Sequence, residues 1–180
     1  MLEGEEKVIR TAQGGNRASF DALYEHYISP IYRFIYMKVS HREEAEDLTH
    51  EVLANAWQNL PRNRLRGFPF SSWLYQIARN KVIDHYRVKR TKIPLEEVDA
   101  ELVAADFNIE EALENRLSIE KIRGALRYLT PDQQDVILMK FMEDLSHREI
   151  AVVLAKSEGA IRIIQHRALL ELKKVMEQGN

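Results

Sequence analysis

Apolar residues along this chain recur at spacings of three and four, the period of a helix packed on one face, and no stretch reads as an obvious strand. Ala45, Leu48, Val52 and Ala56 make one such stripe, and Trp73, Leu74, Ile77, Ala78 and Val82 make another. The pattern predicts helices near 3–13, 17–39, 42–59 and 71–90, then 109–129, 131–142, 147–155 and 158–177. Pro30 is expected to kink or divide the second, because it cannot donate an i−4 hydrogen bond. Start signals fall where the stripes begin. Ser40-His41-Arg42-Glu43 and Ser146-His147-Arg148-Glu149 fit the S-x-x-E capping box, and Thr130-Pro131-Asp132-Gln133 fits it with proline at the first helical position.

Composition sharpens this to an all-α chain. Of 180 residues, 45% are hydrophobic and 30% charged, with only 7 Gly and 5 Pro to make turns. No cysteine is present, which excludes disulfides, thiolate metal sites and a Cys nucleophile. The acidic N-terminus differs from a signal peptide, and no apolar run approaches the roughly 20 residues that span a bilayer. A cytoplasmic chain with no insertion into a membrane is expected.

The net charge of −2 conceals blocks of opposite sign. Residues 62–92 carry nine basic side chains and one acidic, and 93–120 carry one basic and nine acidic. Screening acts over about 8 Å, so a partner meets the local block and not the total. Mutual attraction of two solvated faces explains such a pair in the simplest way; a polyanion site beside an acidic connector is the sharper reading. The expected organisation is two small helical domains, 1–92 and 109–180, joined by an acidic linker, 93–108.

In the second domain, Ile150, Ala151 and Leu154 form a stripe on a short helix, and Ile161, Ile164 and Ala168 continue it after a break of about three residues. This is helix-turn-helix spacing, in which the second helix lies in the major groove. Ser157, Glu158, Arg162, Ile163, His166 and Arg167 are left facing outward. Arg162 is suited to bidentate reading of guanine, Ile163 to a thymine methyl and Arg167 to phosphate. In the first domain, one face of helix 71–90 carries Tyr75, Arg79, Tyr86, Arg87 and Arg90, with Asn80 at its margin. Arg64, Arg66, Phe68 and Phe70 lie in the preceding loop. Aromatic rings beside guanidinium groups suit unpaired nucleic acid, with bases stacked and backbone neutralised. On helix 42–59, Asp47, His50 and Glu51 project away from the stripe, as a solvated acidic face or as a docking face for a basic helix.

Taken together, these segments resemble the extracytoplasmic-function group of the sigma-70 family of RNA polymerase sigma factors. Glu44 to Val52 resembles the family's polymerase-binding helix, Phe70 to Arg87 its −10 recognition and melting helix, and Leu145 to Ala168 its −35-reading helix-turn-helix. The resemblance implies promoter-specific initiation by a non-enzyme. Its partners are then core polymerase (β and β′) through Asp47, Leu48, His50 and Glu51, and promoter DNA. An anti-sigma factor is among the partners it admits, and no cofactor or metal is expected. The chain departs from the family with Ala155 where the turn usually has glycine, with Lys156, Ile163 and Ile164 beyond it, and with His50 in place of a common Gln. The alternative is a free-standing helix-turn-helix transcriptional regulator, which leaves the basic-aromatic helix without a role. Catalysis is disfavoured: His50-Glu51 lacks the second histidine of an H-E-x-x-H zinc helix, and there is no glycine-rich phosphate loop.

Overall fold

The structure is a computed structural model that describes residues 4–62, 68–92 and 122–178, with the backbone alone described at 62, 90–92 and 176–178. Two compact units form, one within Met1–Ala100 and the other within Glu101–Asn180. The first contains α1 (Glu5–Gln13), α2 (Arg17–Val39), α3 (Arg42–Asn59), a 3-10 turn (Leu60–Arg62) and α4 (Phe70–Lys92). The second contains a helical turn at 122–126, then α5 (Pro131–Phe141), α6 (His147–Leu154) and α7 (Glu158–Gln178). No strand occurs among the described residues. The linker 93–108 and the first part of helix 109–129 lie outside them.

Local chemistry accounts for most helix ends. Asn16 caps α2 by accepting from the Ser19 N–H at 2.9 Å. Thr130 with Gln133 and Ser146 with Glu149 close the two capping boxes of α5 and α6. The expected box at Ser40 does not form. Ser40 takes a left-handed conformation (φ 62°) and its N–H closes α2 on the Tyr36 carbonyl, so His41 becomes the first flanking residue of α3 without a side-chain cap. Pro30 sits inside an unbroken α2, which forgoes one backbone bond but stays a single helix.

The core of the first unit lies where α2, α3 and α4 meet, with α1 packed on α2. Ile31, Phe34 and Ile35 of α2 face Ala45, Val52 and Ala56 of α3 and Leu74, Tyr75, Ala78 and Val82 of α4, all buried. Two of the buried polar side chains are paired within the unit: the Tyr27 hydroxyl donates to Glu5, and the Thr49 hydroxyl donates to the Ala45 carbonyl at 2.6 Å. In the second unit Val136, Leu138 and Met139 of α5, Ile150 of α6 and Ile161 and Ala168 of α7 form a separate core. Burial of these side chains, at about 25 cal/mol per Å² of apolar area, holds α6 and α7 against α5.

Candidate nucleic-acid interface

The geometry of the second unit is that of a helix-turn-helix. α6 ends in a Schellman motif: Ala155 is left-handed (φ 51°, ψ 44°), its N–H reaches the Val152 carbonyl at 3.3 Å, and the Lys156 N–H reaches the Ala151 carbonyl at 3.0 Å. Lys156 pairs with Asp132 at 3.2 Å, and the Ser157 hydroxyl accepts from the Ala160 N–H at 3.2 Å to start α7. A hydrogen bond between His147 and Gln165 joins α6 to α7. A Cβ in the left-handed region is strained by about 1–2 kcal/mol, part of which glycine returns as unfolded-chain entropy. Ala155→Gly is therefore expected to stabilise the protein by about 0.5–1 kcal/mol, seen as a raised urea midpoint with an unchanged slope.

Ile161 and Ala168 are fully buried and fix the rotation of α7. Glu158, Arg162, Ile163, His166 and Arg167 are exposed, as predicted, and so is Ser157 before the helix begins; Ile164 is half-buried. Arg162 lies 3.9 Å from Glu158, one turn earlier. Gly159, which the sequence reading passed over, belongs to the same exposed surface.

The α4 face needs correction. Tyr75, expected to stack on bases, is buried, with its ring edge-on to Phe34 at 5.4 Å. Phe70, expected in the wall of a pocket, is also buried, between Tyr27 and Trp73. The cause is that α4 packs against both α2 and α3, so its buried arc is wider than a single stripe suggests. Trp73, expected in the core, is only half-buried. What remains outward is Arg79, half-exposed, with Asn80, Tyr86 and Arg87, and Phe68 just before the helix. The Tyr86 hydroxyl donates to the Lys38 carbonyl at 2.6 Å, which fixes a ring that stays 40% exposed. Arg64, Arg66 and the Arg90 side chain lie outside the described residues.

On α3, Asp47, His50 and Glu51 are exposed together, while Leu48 points inward, buried among the core residues. Among the described residues two ion pairs tie this helix to α4, Glu51 with Lys81 at 2.8 Å and Glu44 with Lys89 at 2.7 Å, and the His85 ring lies 3.1 Å from the Glu44 carboxylate. Part of the basic block is thus answered from within the unit, by acids of α3. Burial raises the Glu44 carboxyl, but the Lys89 hydrogen bond and the charges of His85, Lys89 and His41 outweigh it and hold its pKa below 4.5, the ordinary value. A depressed folded pKa contributes stability above the unfolded value that is lost as pH falls through the folded one. The melting temperature is accordingly expected to drop on acidification below about pH 4.5, and less steeply in Glu44→Gln, which begins lower at pH 7.

Comparison with known proteins decides the family. The profile for Sigma-70 region 2 matches residues 23–91, which hold α3, most of α2 and nearly all of α4, and that for Sigma-70 region 4 matches residues 125–174. SigD, an ECF RNA polymerase sigma factor of Mycobacterium tuberculosis, is 30% identical over 179 residues, covering 96% of this chain and 84% of the relative. The chain belongs to the extracytoplasmic-function sigma factors of the sigma-70 family. The ECF sigma factor BldN of Streptomyces coelicolor is 34% identical over 173 residues; these are 94% of this chain but 65% of BldN. The solved structure of CnrH in complex with the cytosolic domain of CnrY shares the fold (TM-score 0.77, 20% identity), covering 98% of this chain and 99% of that one. The sigma factor RpoE of Bartonella quintana, solved with the anti-sigma factor NepR, shares it too (TM-score 0.71, 20% identity, 88% and 96% covered). In this sigma factor, region 2 therefore supplies the acidic face of α3 and the mixed face of α4, and region 4 supplies the helix-turn-helix. Among its described residues no helix is long and apolar enough to cross a membrane.

Proposed function

We propose that this sigma factor docks on core RNA polymerase through Asp47, His50 and Glu51, with Leu48 supporting the face from below. It captures an unpaired −10 strand along Phe68, Arg79, Asn80, Tyr86 and Arg87, extended by Arg64, Arg66 and Arg90. It reads the −35 element with α7. The domains span 1–92 and 109–180, joined by the acidic linker 93–108; the protein is a cytoplasmic, non-enzymatic specificity subunit. An anti-sigma factor is a further partner, by analogy with the NepR-bound relative. The observation that carries this reading is the separation of two chemistries on two units. An acidic face stands beside a basic-aromatic one on the first, and a helix-turn-helix with outward Arg162 and Arg167 stands on the second. A free-standing regulator needs only the second.

The −10 assignment is tested by strand opening. In holoenzyme, Arg79→Ala with Tyr86→Ala should reduce permanganate-reactive thymines about tenfold, since each stacked base contributes roughly 1–3 kcal/mol, while closed-complex affinity falls less. Tyr86→Phe, which keeps the ring, should open close to normally. Equal opening per bound complex in the double variant would reduce this face to a phosphate clamp.

A further inference from the structure

At about 100° per residue, the buried pair Ile161 and Ala168 fixes which residues of α7 point most directly away from the core. They include Gly159 and Ile163, one turn apart, with His166 and Leu170 farther along the same line and with Arg162 on one flank and Arg167 on the other. Two features of this line are unexplained by folding. Ile163 is 54% exposed, an apolar side chain presented to water between two cations. Gly159 weakens the helix relative to alanine, yet a Cβ there would meet nothing nearer than the Ser157 hydroxyl at 3.9 Å, and its backbone is not left-handed. Neither packing nor conformation requires glycine at this position.

Both features fit one ligand group. The floor of the major groove is polar except for the C5-methyl of thymine, and a helix without a side chain at one outward position lets a base edge come close to its backbone. Leu170 is exposed as well, but it lies two turns farther along, beyond the N-terminal turns that reach base edges. Resting on the proposed −35 reading of α7, we infer that Gly159 and Ile163 form a shallow slot for the 5-methyl group of one thymine, beside the base pair read by Arg162. Specificity is then shared between a charged fork for guanine and an apolar slot that distinguishes thymine from any base lacking the methyl.

Replacement of thymine by deoxyuridine removes this methyl and preserves every hydrogen bond. The probe is the −35 duplex that holoenzyme, assembled from core polymerase and the full chain, selects from a randomised pool, with each thymine replaced in turn. One replacement should lower affinity about fourfold, the worth of one buried methyl group. Ile163→Ala should bind the thymine and deoxyuridine duplexes alike, whereas Ile163→Val should keep part of the preference. Gly159→Ala, a better helix former, should melt no lower than the parent and also lose the preference, an outcome that a purely structural glycine would not produce. Equal affinity for every thymine and deoxyuridine duplex, with a guanine preference that Arg162→Ala removes, would overturn the slot and leave the −35 reading standing. No preference at any position of the pool would overturn both.

Discussion

Reversing Asp47 and Glu51 to lysine is expected to abolish co-purification of this sigma factor with core polymerase while leaving its helicity nearly unchanged. Both carboxylates are exposed on α3, so the reversal breaks no core packing. The internal loss is the Glu51–Lys81 pair, half-exposed on the acidic side and therefore worth less than about 1 kcal/mol. At an interface with a basic partner, the same reversal replaces attraction by like-charge contact, which costs several kcal/mol, or at least about a hundredfold in affinity. Asp21→Lys with Glu25→Lys makes the same change of charge on an exposed part of α2 and should bind core normally. Retention of core by a folded Asp47/Glu51 variant would return the face to a solvated role.

Arg162→Ala and Arg167→Ala should separate readout from anchoring. Arg162 stands in the first turns of α7, where a side chain reaches base edges, and Arg167 stands more than a turn farther along. Loss of a bidentate guanine contact should lower affinity for the preferred −35 element by about 1–3 kcal/mol and relax preference at one or two base pairs. Loss of a phosphate contact should weaken all sequences alike and reduce the salt slope by about one. Selection from a randomised element by holoenzyme containing each variant measures the difference. An unchanged preference in Arg162→Ala would move the readout to Ile163, His166 or the shape of the DNA.

Features that depend on neighbours along one helix were legible in the sequence. The stripe Ala45, Leu48, Val52 and Ala56 is buried as read, and the capping chemistry of Thr130 and Ser146 starts α5 and α6 as read. The exposed order of side chains on α7 also follows from one periodicity, set by Ile161 and Ala168. Features that depend on distant segments were not. Tyr75 looks outward on a wheel with one partner, but α4 has two, and the ring fills the space against Phe34. Ser40 fits a cap by composition, but the reversal of the chain between α2 and α3 calls for a left-handed residue there. The acids that answer the basic block are Glu44 and Glu51, 30 to 45 residues away in sequence, and no local pattern could have paired them with Lys81 and Lys89. The left-handed turn at Ala155 was anticipated only because the related proteins usually carry glycine there.

The central claim is that the chain lends promoter choice to core polymerase, and transcription in vitro tests it most directly. Core enzyme is supplied with a pool of genomic promoter fragments, with and without the purified chain, and transcript 5′ ends are mapped. The account predicts new transcripts that depend on the chain, starting downstream of a shared pair of elements and lost with the Asp47/Glu51 reversal. Transcripts identical to those of core enzyme alone, with the chain binding duplex DNA by itself, would contradict it.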